Sequence, residues 1–174
     1  DELPAVMQTL TLTRSQVRQA DITDRRYLSG GSFGHVYQAL CQLYGVVAYK
    51  ELIMAELTDT QAQEFVTESK ILLKLNHPNI IKAYAVCLEQ PYGIVMELAA
   101  HGSLFSVLHN TVITYPEKTL NRDVKLGMAL DSARGLDFLH TQTPKPIIHR
   151  DIKTGNIMVF GSPTALIAKL GDFG

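Results

Sequence analysis

The spacing of apolar and polar positions changes character twice along the chain. From Ile22 to Leu52 the residues favour strands and are broken by glycines: a run to Leu28, then Ser29-Gly30-Gly31-Ser32-Phe33-Gly34, a run from Val36 to Leu40, and a run from Val46 to Leu52 after a turn near Gly45. This pattern predicts an antiparallel meander. Residues 60–75 then turn helical, with Phe65, Val66, Ser69, Leu72 and Leu73 on one face. Thr60 and Gln63 have the spacing of a capping box at its start, and Asn76-His77-Pro78 stops it, because proline disfavours helical geometry in the residue before it. Two further strand-like runs, Ile80 to Leu88 and Gly93 to Leu98, complete a predicted five-stranded antiparallel sheet with one helix.

After His101-Gly102-Ser103 the chain reads as mostly helical. A short helix is predicted at about 104–109, a polar loop at 110–121, and a longer helix from Asn121 to His140. Its expected core contacts are Leu126, Ala129, Leu130, Ala133, Leu136 and Phe138. Pro144 and Pro146, the polar loop His149 to Asn156, and two apolar runs, Ile157 to Phe160 and Leu166 to Leu170, follow. The fold class is α+β: an N-terminal extension over 1–20, a sheet-rich lobe over 21–98, and a mostly helical lobe over 99–174 that stops after Asp172-Phe173-Gly174.

Composition narrows the functional classes. Apolar residues make up 46% of the 174 and charged residues 19%, which fits a globular core and excludes a disordered tail. Sixteen Lys and Arg against seventeen Asp and Glu give a net charge of −1, so no basic excess favours nucleic acid or an anionic membrane. Apolar runs reach only about six residues, too short to insert across a bilayer. Two cysteines without C-x-x-C spacing argue against a disulfide or zinc framework and for a reducing compartment, cytosol or nucleus. A chain opening at Asp1 and closing at Gly174 is expected to be a piece of a longer one.

Four polar constellations could carry chemistry. The glycine cluster Ser29–Gly34 lies between two strand-like runs, so it reads as a hairpin whose backbone amides can approach phosphates; an ordinary glycine-rich hairpin has the same signature. Lys50 ends the run Val47-Ala48-Tyr49, and Glu68 sits on the apolar face of the helix, three after Phe65 and four before Leu72. A carboxylate there calls for a buried cation, and Lys50 is the nearest candidate; two unrelated surface charges are the plainer alternative. The loop His149-Arg150-Asp151-Ile152-Lys153-Thr154-Gly155-Asn156 gathers a carboxylate, an ammonium and a carboxamide, suited to base, phosphate and metal roles or to simple solvation. Asp172-Phe173-Gly174 places an aspartate after an apolar run, as many turns do.

In this order the four elements resemble the eukaryotic protein kinases. The family's G-x-G-x-x-G-x-V is met at Gly31, Gly34 and Val36, with Ser29 in place of the first glycine; V-A-x-K is met at Lys50, with Tyr49 at the usually aliphatic position. Glu68 matches the regulatory-helix glutamate, H-R-D-x-K-x-x-N is complete from His149 to Asn156, and D-F-G is complete at 172–174. His77-Pro78-Asn79-Ile80 and Gly102-Ser103-Leu104 match further segments, so the resemblance spans about 22–174. It implies a bilobal fold and transfer of the ATP γ-phosphoryl group to protein hydroxyls.

By that resemblance Ser29, Gly30, Gly31, Ser32, Phe33 and Gly34 cover the phosphates. Val36, Ala48 and Met158 hold the adenine, backbone at Glu97, Leu98 and Ala99 binds its edge, and Met96 controls the rear pocket. Lys50, paired with Glu68, holds phosphate oxygens; Asn156 and Asp172 bind Mg²⁺; Asp151 orients or deprotonates the acceptor hydroxyl; and Lys153 offsets γ-phosphate charge. His149, Phe173 and Leu72 are implied to pack as structural links, and the remaining histidines and both cysteines as packing or surface residues. Lys153 is the serine/threonine pattern, whereas Pro144-Lys145-Pro146 and Gly102-Ser103-Leu104 resemble the tyrosine-kinase-like branch. A pseudokinase that binds or scaffolds without transfer, and an interaction fragment, are the alternatives; the lysine and both aspartates that pseudokinases commonly lose are present. The 174-residue piece by itself is not expected to be active, and regulatory protein partners are not identified by the sequence.

Overall fold

A computed structural model of the chain describes residues 15–31, 34–52, 59–109, 115 and 119–172. The chain divides into two compact units, one of residues up to Leu75 with Lys82–Leu98, the other of Asn76–Ile81 with Ala99 onward.

The first unit is built on β1 (Gln16–Val17), β2 (Ile22–Gly31), β3 (Gly34–Cys41), β4 (Gly45–Leu52), β5 (Ala83–Cys87) and β6 (Gly93–Glu97), with the helix α1 (Asp59–Lys74). The sheet order is β1-β5-β6-β4-β3-β2. The five strands expected from the sequence are all there, antiparallel to their neighbours. A sixth, β1, adds a short parallel edge beside β5, from a segment to which the pattern assigned no structure. Two residues are too few to show a period, which is why the strand escapes notice. The expected run from Ile80 is shorter: Ile80 makes only an isolated bridge to Leu170, and the strand begins at Ala83.

Strand alternation gives this sheet two different faces. On one, Ala83, Val86, Leu88, Tyr92 and Ile94 pack with Phe65 and Val66 of α1, joined by the partly buried Leu52, Leu72, Leu73 and Met96. The expected helical face of α1 is thus the one that packs. Its first turn differs, since α1 starts at Asp59 and Thr60 lies inside it rather than capping it; the Gln63 side chain lies outside the described residues. The opposite sheet face buries Val17, Ile22, Ala39, Cys41, Val47, Tyr49, Ala85, Cys87 and Val95. Both cysteines are free and buried there.

In the second unit α2 (Leu104–Leu108) and α3 (Arg122–His140) accompany a hairpin of β7 (Ile157–Ser162) and β8 (Ala165–Leu170). Ser103 and Asn121 cap the two helices by accepting from the amides of Ser106 and Val124. On α3, Met128, Gly135 and Leu139 are fully buried, and of the expected contacts Leu136 and Phe138 are half-buried, with Phe138 stacked on His77 at 4.6 Å. Leu126 is 64% and Leu130 49% exposed, and Ala129 and Ala133 are also exposed. β8 lies along α3 and requires a small residue at the crossing. A Cβ on Gly135 would stand 2.5 Å from the Asn79 carbonyl oxygen and 3.2 Å from Leu170. Gly135→Ala is therefore expected to destabilise the fold by about 1–3 kcal/mol, as overpacking does. A urea midpoint equal to the parent's would show that α3 can move off the Asn79 turn without cost.

Candidate active site

In the first unit the register sets four of the candidate nucleotide-site residues, Val36, Ala48, Lys50 and Met96, on one sheet face. Ser29 stands opposite Val36, Gly30 opposite His35 and Gly31 opposite Gly34, so β2 and β3 stay paired up to the tip of the glycine hairpin. Ser32 and Phe33 lie outside the described residues. Gly34 is required by the neighbouring strand, since a Cβ there would fall 2.3 Å from the Glu51 carbonyl oxygen. Val36 faces Lys50, Lys50 faces Ile94, and Ala48 faces Met96. Directly opposed residues project to the same side, so Val36, Ala48, Lys50 and Met96 share the face that Ile94 packs against α1. Glu68 is half-buried on α1, within the stripe made by Phe65 and Leu72. Glu97 is anchored by the Lys82 amide, which donates to its carboxylate at 2.8 Å, and Leu98 follows it, half-buried.

In the second unit Ala99 and the turn after it lead into α2. His101 donates its amide to Val159 O, the Val159 amide donates to Gly102 O at 2.9 Å, and Ser103 bridges to Met158. The half-buried Met158 is thereby fixed to the turn that precedes α2. His101, expected to be an ordinary packing or surface residue, is buried: Nε2 donates to Gly161 O at 2.8 Å, and Nδ1 accepts from the Tyr115 hydroxyl. Nothing in the sequence signals that pair, because Tyr115 stands in a polar loop.

The loop after α3 carries the densest chemistry. The Asp151 carboxylate accepts from Lys153 Nζ at 2.6 Å and from Asn156 Nδ2 at 2.8 Å, both on Oδ2. Asn156 Nδ2 also donates to the Asp151 carbonyl oxygen at 2.9 Å. His149 is 1% exposed, and its Nδ1 accepts the Asp151 amide at 3.4 Å, which ties the loop down from beneath. Arg150 and Asp172 are non-glycine residues at positive φ, 67° and 57°. Such backbone costs roughly 1–3 kcal/mol per residue and concentrates where side chains must be aimed. Leu72 packs in the core of the first unit, and Phe173 lies outside the described residues.

Lys153, and after it Asn156, hold the Asp151 carboxyl below its ordinary value. A carboxyl depressed by folding stabilises the native state above its unfolded pKa, and that contribution is lost as pH falls through the lower folded value. Both side chains are more than half exposed, so the contribution to stability is small. The effect on ionisation is the useful one: Lys153→Met is expected to move the acid limb of any Asp151-dependent activity to higher pH. A pH–rate profile checks this, and coincident acid limbs would contradict it.

Asn156 and Asp172 are brought together by the hairpin. Ile157 pairs with Leu170, and beyond that rung the Gly171 amide donates to the Asn156 carbonyl at 2.9 Å. With the Asn156 amide nitrogen committed to Asp151, its Oδ1 is the prong left for a cation. One carboxylate and one amide oxygen, with phosphate oxygens to complete the shell, suit a hard divalent cation rather than zinc. Among the described residues no group of three or more His, Cys, Asp or Glu forms a metal cage by itself.

The family model for protein tyrosine and serine/threonine kinases matches residues 22–174. The chain belongs to that family. Kinases of this family use ATP with a divalent metal ion, in keeping with the oxygen donors at Asn156 and Asp172. Among similar proteins, mouse serine/threonine-protein kinase TNNI3K is 32% identical over 162 residues, covering 92% of this chain and 19% of the mouse protein. The Arabidopsis thaliana serine/threonine-protein kinase-like protein CCR2 is 36% identical over 148 residues, 84% of this chain and 18% of that one. LysM domain receptor-like kinase 3, also from Arabidopsis thaliana, is 31% identical over 178 residues, 100% of this chain and 26% of its own. The chain therefore spans a fifth to a quarter of the length of these curated relatives. No helix among the described residues is long and apolar enough to cross a membrane.

Proposed function

We propose that the protein transfers the γ-phosphoryl group of Mg·ATP to serine or threonine hydroxyls of other proteins. The observation that carries this reading is the Asp151 carboxylate held by Lys153 at 2.6 Å and Asn156 at 2.8 Å. Asp151 orients the acceptor hydroxyl and receives its proton as the oxygen bonds to the γ-phosphorus; the bond to the β–γ bridging oxygen breaks and ADP leaves. Lys153, beside that carboxylate, balances charge on the transferred group. Asn156 and Asp172 would hold Mg²⁺, which supplies charge neutralisation on the phosphates. In the first unit the hairpin at Ser29–Gly34 covers phosphate oxygens, Lys50 binds them, and Glu68 holds Lys50. The shared sheet face of Lys50 and Ile94 and the place of Glu68 beside Phe65 support that pair. Val36, Ala48, Met96 and the backbone at Glu97 and Leu98 are assigned to the adenine, as are Ala99 and Met158 in the second unit.

The serine/threonine assignment rests on Lys153 and on relatives named as serine/threonine kinases, and the Gly102-Ser103-Leu104 turn supports the tyrosine-kinase-like branch. We assign the activity to a reducing compartment, cytosol or nucleus. Phosphoamino-acid analysis of a generic protein acceptor after incubation with the full-length protein and Mg·ATP tests the assignment. Phosphoserine and phosphothreonine are expected; phosphotyrosine alone would overturn the residue class.

A further inference from the structure

On the sheet face opposite Lys50, the residues either side of it in sequence are held by one polar network. Tyr49 is fully buried; its hydroxyl accepts from Gln19 Nε2 at 2.8 Å and donates to Pro91 O at 2.7 Å. Glu51 pairs with Arg25 at 2.9 Å, and the Arg25 guanidinium lies 4.8 Å over the Tyr49 ring. Gln19 closes the circuit: its Oε1 accepts from Arg25, its Nε2 also reaches Pro91 O, and its backbone N–H donates to the Glu89 carboxylate at 2.7 Å. Gln19 precedes residues 22–174, which match the kinase family, and belongs to the segment whose β1 pairs with β5.

We infer that Gln19 and Arg25 are positioning residues for Lys50, gripping Tyr49 and Glu51 from the far side of the sheet so that the strand between them cannot twist or slide. Successive strand residues point to opposite faces, so a clamp on positions 49 and 51 fixes the backbone that aims position 50. A lysine has four rotatable bonds, and its head can be held on a phosphate oxygen only if its Cα is held first. The segment ahead of the kinase region thus becomes part of the nucleotide site without touching nucleotide. This inference rests on the proposed role of Lys50.

The test compares Mg·ATP and adenosine affinities of the full-length protein for wild type, Gln19→Ala, Arg25→Lys, Lys50→Met and the Gln19→Ala/Lys50→Met double variant. Arg25→Lys keeps the charge facing Glu51 but loses the fork that also reaches Gln19, so it reports even where Gln19→Ala fails to fold. Each positioning variant is expected to weaken ATP by about threefold to tenfold and leave adenosine unchanged, and Gln19→Ala is expected to add nothing once Lys50 is gone. Equal loss for ATP and adenosine, unchanged ATP affinity, or a Gln19→Ala effect that persists beside Lys50→Met would overturn the inference. Wild-type protein that binds ATP no better than adenosine would instead remove the phosphate role of Lys50, and the inference with it.

Discussion

Asp151→Asn is expected to lower phosphoryl transfer by roughly 10²–10⁴-fold while leaving Mg·ATP affinity within about twofold of the parent. The substitution keeps the side chain's size, and the new amide oxygen can still accept from Asn156 Nδ2, which lies 2.8 Å from the present carboxylate oxygen. The loop anchors survive too, because they use the backbone of residue 151: its amide donates to His149 and its carbonyl accepts from Asn156. What disappears is the negative charge proposed to orient the acceptor hydroxyl and take its proton. Transfer to a generic protein acceptor, measured beside ATP affinity, separates the two effects. A parallel loss of affinity would place residue 151 in nucleotide binding instead.

Lys50→Met is expected to reduce turnover by about 10²–10³-fold, as removal of a preorganised charge contact does, and to weaken ATP but not adenosine. Methionine matches the aliphatic stem of lysine, so the packing around Ile94 and Leu52 is kept while the cation is lost. Loss of the ammonium leaves Glu68 without that proposed partner, which adds a cost in stability for a half-buried carboxylate. Glu68→Gln made together with Lys50→Met is expected to recover part of that stability and none of the turnover. Thermal midpoints and ATP titrations read the two quantities independently; an equal drop in ATP and adenosine affinity would make Lys50 a support of the fold.

The parts of this protein visible in its sequence are those encoded over short stretches. The His149–Asn156 loop was legible because its three candidate side chains lie within six residues, Lys153 and Asn156 both bonding to Asp151. Long-range packing was not legible. On α3, Gly135 is buried because the Asn79 carbonyl and Leu170, both far from it in the sequence, come within 2.5 and 3.2 Å of where its Cβ would stand. A hydrophobic count cannot reveal a glycine chosen for a close approach. The clamp on Tyr49 was hidden for a related reason: Gln19 meets Glu89 across 70 positions in the sequence, and a lone glutamine carries no periodic signal. Tyr49, read as a departure from an aliphatic position, is accommodated because its hydroxyl has both a donor and an acceptor at hand.

The most direct measurement of the central claim follows γ-labelled phosphate from Mg·ATP onto a protein acceptor, using the full-length protein. Label is expected on serine and threonine, dependent on Mg²⁺ and at a rate well above that of Asp151→Asn. Nucleotide binding without any transfer above the Asp151→Asn background would contradict it and leave a kinase fold that serves as a scaffold.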